Sequence, residues 1–359
     1  MTQTTRRATT SETTGEATVG VDLGDRFSNY CILDDRGEVV EEGRLRTTTP
    51  AFSQRFSTLS SCRVVLEVGT HSPWVSRLLE GLKHEVVVVN ARRVRLIAES
   101  DAKTDRADAE TLARLGRLDP RLLHPITHRS EEVQADLAVI RSRRCLVAAR
   151  TLLINHIRGA VKASGTRLPA CSSHSFAARV APEIPRELQP ALFPLLISIG
   201  ELNKQITALD AEIEKLITDR YPEVGALQQV AGVGPLISLT FVLTLADPER
   251  FSKSRQVGAY LGLTPRQRQS GERSPQLRIS KSGDSYLRQL LVQAAHYILG
   301  HRGPDTDLRR WGLKRAETGG ANAKKRAIVA VARKLAVLLH HLWVSGDVYV
   351  PVHSEEVAA

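Results

Sequence analysis

Between residues 19 and 118 the chain alternates between two rhythms. Short apolar runs at 19–23, 30–33, 63–69 and 85–89 have the length and β-branched content of strands, and helix-patterned stretches fall at 50–59, 72–82, 92–98 and 103–118. The run at 38–47 follows the turn Asp34-Asp35-Arg36-Gly37, so the first three strands read as an antiparallel meander. After residue 130 the strand rhythm disappears and only helical periodicity remains.

Ser130 followed by Glu131 opens a helix expected to reach residue 163, and a proline-bearing loop (Pro169, Pro182, Pro185) separates it from a second long helix. There Leu192, Leu195, Ile199, Leu202, Ile206, Leu209, Ile213 and Leu216 are spaced 3, 4, 3, 4, 3, 4 and 3, the period of a coiled-coil seam. That stripe is covered either by a second copy of the chain or by the preceding helix folded back on it. Residues 224–345 form a further helical region, in which Val230-Ala231-Gly232-Val233-Gly234-Pro235 lies between apolar helices like the turn of a helix-hairpin-helix. Gly232 and Gly234 would let a phosphate approach the backbone, or simply make a tight turn.

Four carboxylates break the apolar pattern of the first region. Asp22 and Glu67 each sit in an otherwise apolar strand, where a carboxylate is costly unless paired or metal-bound. Asp105 and Asp108 are three apart at the start of a helix, so their side chains share a face. As first-turn acids they could be ordinary solvated residues favoured by the helix dipole. Together with the two strand acids they could instead surround a divalent ion, Mg²⁺ or Mn²⁺, that takes oxygen ligands. Three strands followed by alternating strand and helix is the order of a ribonuclease H-like α/β domain, which delivers acids from these elements to one metal site.

Charge adds a partner to the picture. Lys and Arg number 50 against 39 acids, a formal net charge of +11, which suggests a polyanion such as nucleic acid. Arg141, Arg143, Arg144, Arg150, Arg158 and Lys162 line the first long helix, as either a nucleic-acid grip or a solvated face. Arg250, Lys253, Arg255, Arg266, Arg268, Arg273, Arg278, Lys281 and Arg288 crowd the segment after the Gly232–Gly234 turn, which favours phosphate binding there. The four cysteines form no C-x-x-C pair, so zinc is not expected and the thiols are expected to be reduced. No membrane span is expected: the apolar run at 328–344 is interrupted by Arg333, Lys334, His340 and His341, and the expected location is cytoplasmic.

With these motifs in order, the chain resembles transposases of the insertion-sequence one-ten family, the DEDD recombinases of bacterial mobile elements. The amino-terminal match is Val19-Gly20-Val21-Asp22-Leu23-Gly24, Leu66-Glu67-Val68-Gly69-Thr70 and Lys103-Thr104-Asp105-Arg106-Ala107-Asp108-Ala109. The carboxy-terminal match is Gly232-Val233-Gly234-Pro235, Tyr260-Leu261-Gly262-Leu263-Thr264-Pro265, Ser270-Gly271, Ile279-Ser280-Lys281-Ser282-Gly283-Asp284 and Leu287-Arg288. Glu272-Arg273 departs from the family pattern, in which a second glycine is commoner after Ser270-Gly271.

The resemblance implies a RuvC-like domain whose acids Asp22, Glu67, Asp105 and Asp108 bind metal, and a carboxy-terminal transposase domain in which Ser270 attacks DNA. It also implies a structured bridge RNA that pairs with the element's ends and the target. Nucleic-acid contacts are expected from Gly232, Gly234, Arg266, Arg268, Arg273, Lys281, Arg288, Arg141 and Arg144. The expected organisation is a disordered tail (1–17), the RuvC-like domain (18–125), a helical coiled-coil linker (126–222), the transposase domain (223–346) and a second tail (347–359), assembled as a dimer or tetramer through the coiled coil. Competing readings are a water-using, Holliday-junction-type metal endonuclease, a non-catalytic nucleic-acid-binding protein, and a sugar-kinase-like or actin-like ATPase. The last is disfavoured because no second β-rich domain follows residue 118.

Overall fold

A computed structural model describes residues 17–90, 104–118, 123, 125–268, 275, 277–317, 320 and 322–352. The chain divides into two compact units, Met1–Arg129 and Ser130–Ala359. The expected amino-terminal tail and the helix at 92–98 fall outside the described residues, apart from Ala17.

The first unit is a five-stranded mixed sheet in the order β3-β2-β1-β4-β5. Strand β1 (Thr18–Asp22) pairs antiparallel with β2 (Phe27–Leu33), which pairs antiparallel with β3 (Val39–Arg46). The β2–β3 turn is closed by Asp34, whose carboxylate accepts from the backbone N–H groups of Arg36 and Glu38, each at 2.9 Å. On its other side β1 pairs in parallel with β4 (Arg63–Glu67), and β4 in parallel with β5 (Glu85–Val89). Val64, Val65 and Leu66 are fully buried, so β4 is covered on both faces, which is why it reads as a continuous apolar run.

Helices sort by the alternation of those strands. Val19, Val21, Val64 and Leu66 face α1 (Thr49–Phe56) and α2 (Ser72–Gly81), packing with Phe52, Phe56, Val75 and Leu79. Val65, Val87 and Val89 face the other way, against Leu112 of α3 (Asp105–Leu118), while Ala109 and Ala113 of the same helix pack on Cys31 and Leu33. Gly20 makes this possible: a Cβ there would lie 2.0 Å from the Ala109 carbonyl oxygen and 2.4 Å from the Ala113 nitrogen. Helix and strand therefore meet backbone to backbone.

The second unit is helical. Helix α4 (Glu131–Ala163) packs along α6 (Gln189–Arg220) within the same chain, with the short α5 (Phe176–Val180) between them in sequence. Of the two coverings the sequence left open for the α6 stripe, the fold-back helix is present. The buried row is turned slightly from the expected one: Leu192, Leu196, Ile199, Asn203, Ile206, Ile213 and Leu216 are buried, whereas Leu195, Leu202 and Leu209 are not fully covered. The cause is polar. Arg150 reaches across to Asn203 at 2.7 Å and Arg143 forks onto Asp210, and these pairs draw positions 203 and 210 toward the partner helix.

Beyond them lie α7 (Val224–Gln228), α8 (Pro235–Leu245), α9 (Arg255–Tyr260), α10 (Ser285–Leu299), α11 (Asp307–Glu317) and α12 (Ala323–Ser345). By length and composition α12 could cross a membrane. Its Ala327, Val331, Ala332, Leu335, Ala336, Leu339 and Leu342 are instead buried in the core of this unit, and His340 is satisfied there by Ser254 and the Pro248 carbonyl, both at 3.0 Å.

Candidate functional site

Strand alternation sets the direction of two of the four acids. Asp22 follows Gly20 by two residues and Glu67 follows Val65 by two, so both carboxylates project toward the α3 face. The β1–β4 register, Val21 opposite Leu66, makes them neighbours at the carboxy-terminal end of the parallel pair.

Helix α3 brings the other two to the same end. Its far end is fixed low on the sheet, where Arg63 donates to the Gly116 carbonyl at 3.3 Å and Gly116 sits against Val65. From Gly116 back to Asp108 is about 12 Å along the helix. The acidic first turn of α3 therefore lies toward the carboxy-terminal ends of β1 and β4. Asp105 and Asp108 also continue the stripe Ala109, Leu112, Ala113 and Gly116 that packs on the sheet. The first turn is capped by Thr104, whose hydroxyl accepts from the Ala107 N–H at 3.2 Å, and Arg106 pairs with Glu42 of β3.

Backbone and helix thus carry all four acids to one rim, with Asp105 exposed and Asp22, Glu67 and Asp108 half-buried. Among the described residues, however, no three His, Cys, Asp or Glu side chains converge closely enough to hold one metal ion. The donor set is all carboxylate oxygen, which suits a hard divalent cation such as Mg²⁺ or Mn²⁺ and does not suit zinc.

One neighbour of this rim escaped the sequence reading. His71 begins α2 four residues after Glu67, and its Nδ1 accepts from the Trp74 indole N–H at 3.0 Å. The His-x-x-Trp spacing at a helix start was the available signal.

The second unit divides the expected cations into two groups. Arg143 is committed to Asp210, which raises its pKa, Arg150 to Asn203, and Arg158 to the Pro169 carbonyl at 3.1 Å. Arg141 and Arg144 instead line a cavity with Asp284 and Tyr286. Arg144 lies 4.6 Å over the Tyr286 ring, and Arg141 stands 4.0 Å from the Asp284 carboxylate.

The Gly232–Gly234 turn joins α7 to α8. Gly232 has φ +83° and would push a Cβ to 2.9 Å from Tyr297, so it serves close packing, whereas Gly234 faces open space. Further along, Pro265 bridges Ile279, with Arg266 donating to the Arg278 carbonyl and Ser280 to that of Thr264, both at 2.9 Å. A short ribbon results. Ser270 and Arg273 belong to the stretch that connects its two sides and lie outside the described residues.

The ribbon's base is fixed. A Cβ on Gly262, φ +69°, would fall 2.3 Å from the Ser282 nitrogen, and Arg288 donates to the carbonyls of Leu261 at 3.0 Å and Ser282 at 2.7 Å. Arg288 is therefore a structural clamp here, while Arg266, Arg268 and Lys281 are exposed.

Comparison with known proteins accords with this layout. Residues 19–164 match a DEDD family described as a transposase, and residues 224–309 match the transposase IS116/IS110/IS902 family. The chain is 30% identical over 350 residues to the transposase for insertion sequence element IS1111A of Coxiella burnetii, covering 92% of this chain and 90% of that protein. It is 29% identical to the transposase for element IS1328 of Yersinia enterocolitica, over 78% and 83% of the two chains. It is also 25% identical to a pilin gene-inverting protein of Moraxella bovis, over 83% and 84%. The chain belongs to the IS110 family of insertion-sequence transposases.

Proposed function

We propose that this transposase cuts and rejoins DNA through a covalent protein–DNA ester, with Asp22, Glu67, Asp105 and Asp108 as metal ligands and Ser270 as nucleophile. The observation that supports the first half is that β1, β4 and α3 carry Asp22, Glu67, Asp105 and Asp108 toward one end of the mixed sheet. A bound Mg²⁺ or Mn²⁺ would polarise the scissile phosphate and favour the deprotonated serine. Ser270 Oγ attacks phosphorus, its proton passes to solvent or a carboxylate, and a DNA hydroxyl leaves. One phosphodiester is exchanged for another of similar energy, so a new DNA hydroxyl can reverse the step without ATP. Attack by water would forfeit that energy. A relative named for inverting a gene must rejoin what it cuts, which supports the retained bond energy.

Residues 18–125 serve as the catalytic domain, 126–222 as a helical linker folded back on itself, and 223–346 as the serine-bearing domain with a hairpin turn at Gly232 and Gly234. Arg141, Arg144, Arg266, Arg268, Arg273 and Lys281 contact DNA or a structured guide RNA, and Arg288 holds the loop base. The reaction takes place on cytoplasmic DNA. The net charge of +11 supports the RNA partner.

The test is denaturing electrophoresis of full-length protein with plasmid DNA bearing the element's ends, RNA from its flank and Mg²⁺. A protein–DNA adduct that survives denaturant and maps by mass spectrometry to Ser270, and that is lost in Ser270→Ala, is expected. Cleavage by Ser270→Ala at the wild-type rate would return the chemistry to water, the junction-endonuclease reading.

A further inference from the structure

The same rim carries a polar group that the acids do not explain. His71 sits at the start of α2, on the opposite side of the sheet from α3 but at the same carboxy-terminal end, because α2 follows β4 directly. Its ring is set by Trp74. The indole N–H can only donate, so Nδ1 of His71, 3.0 Å away, must accept, and the neutral ring carries its proton on Nε2.

Trp74 is itself held. Its ring meets the fully buried Phe52 edge-on at 5.5 Å, and Phe52 stacks on Phe56 at 5.6 Å, so the indole is anchored in the core while its N–H faces the rim. At 89° to that indole, the imidazole points Nε2 toward the β1–β2 turn. There Asp25 Oδ1 is 3.8 Å away, beyond hydrogen-bonding distance, and the Asp25 side chain is 94% exposed. Among the described residues Nε2–H has no acceptor within reach, and the His71 side chain is 27% exposed. A donor with a fixed tautomer, anchored to the core and left open at the end of the sheet where β1 and β4 carry Asp22 and Glu67, is arranged for an anion that arrives from solution.

We propose that His71 Nε2–H donates a hydrogen bond to a phosphate of the DNA strand that the four acids engage, with Trp74 as the positioning residue that fixes its tautomer. The inference rests on the strand-cleavage reading above. It differs from the metal role of the acids in kind: a carboxylate repels a phosphate unless a cation intervenes, whereas an imidazole N–H binds one directly.

The experiment compares full-length wild type, His71→Phe, His71→Gln, Trp74→Phe and Asp105→Ala in single-turnover cleavage of plasmid DNA bearing the element's ends, alongside DNA affinity. His71→Phe should slow cleavage by roughly ten- to a hundredfold, the range for losing one hydrogen bond to a charged group. Overall DNA affinity should change little. His71→Gln, whose amide N–H can replace Nε2–H, should recover much of the rate. Trp74→Phe keeps the ring against Phe52 and should fall between. Cleavage by His71→Phe at the wild-type rate, or equal loss in His71→Phe and His71→Gln, would overturn the inference. Asp105→Ala cleaving normally would overturn the strand-cleavage reading instead. Independently of activity, long-range ¹⁵N–¹H spectra of the wild type in mildly alkaline buffer should show the Nε2–H tautomer of His71, and the Nδ1–H tautomer would refute the proposal.

Discussion

The acids at the sheet rim and the arginines of α4 are both charged sets on regular elements, yet the structure uses them oppositely. Asp22 and Glu67 lie on strands with period-two geometry, so once the apolar residues choose a face the acids have no freedom: both must point toward α3. The arginines of α4 lie on a helix with a partner on one side, and three of the six cations expected there are drawn inward by Asp210, Asn203 and a backbone carbonyl. A charge that violates a strand pattern is informative about place, whereas a charge count on a helix says little until its partners are known.

The hardest test of that contrast removes an acid. Asp22→Ala or Asp105→Ala should lower strand cleavage by roughly three orders of magnitude or more, the scale of losing a metal's several kcal/mol of stabilisation, with an unchanged melting curve. Full activity in a chelator would break the rim's side of the comparison.

Next in size is the junction that aims the acids. Gly20→Val should cost about 1–3 kcal/mol or more by overpacking against the Ala109 carbonyl, visible as a lower urea midpoint, and should impair cleavage at temperatures where the protein remains folded.

The arginines then separate into two behaviours. Arg143→Ala should cost about 1 kcal/mol of stability, since the pair is only partly shielded, with little change in RNA affinity. Arg141→Ala and Arg144→Ala should leave stability alone, and removing each phosphate-binding cation should flatten the salt dependence of RNA binding by about one unit. The reverse assignment would dissolve the distinction between cations spent on packing α4 and cations that line the cavity.

The smallest effect reads the first unit by its thiols. Burial pushes Cys31 and Cys62 up to about 11 from 9.0. The folded state therefore holds their protons more tightly than the unfolded one, so their contribution is intact below pH 9 and is lost as pH rises toward 11. Thiol reagents should modify exposed Cys145 of the second unit promptly and reach Cys31 and Cys62 only on opening of the first.

Much of the sheet was legible because its physics is local. The strand runs, the Asp34 turn and the helix start at Asp105 all follow from periodicity and turn chemistry, and their sequence order carries the strand acids to one end. The α6 seam reads one step off in the sequence because Asn203 and Asp210 look like solvent-facing residues until Arg150 and Arg143 of a distant helix claim them. His71 escapes notice for a related reason: a lone histidine at a helix start carries no signal until the indole three residues on is seen to fix its proton. Arg288 reads as a phosphate ligand, and only the crossing of Leu261 and Ser282 gives it a different use here.

The meeting of β1 and α3 at Gly20 also bears on tolerance in the mechanical sense. Where large side chains separate two elements, each rotamer change shifts the spacing between them, and the error accumulates toward whatever they carry. Here the Ala109 carbonyl and the Ala113 nitrogen press on a strand residue with no side chain. The gap is set by peptide groups, the stiffest parts of the chain. Asp108, one residue from that junction, inherits its position from a joint with almost no play.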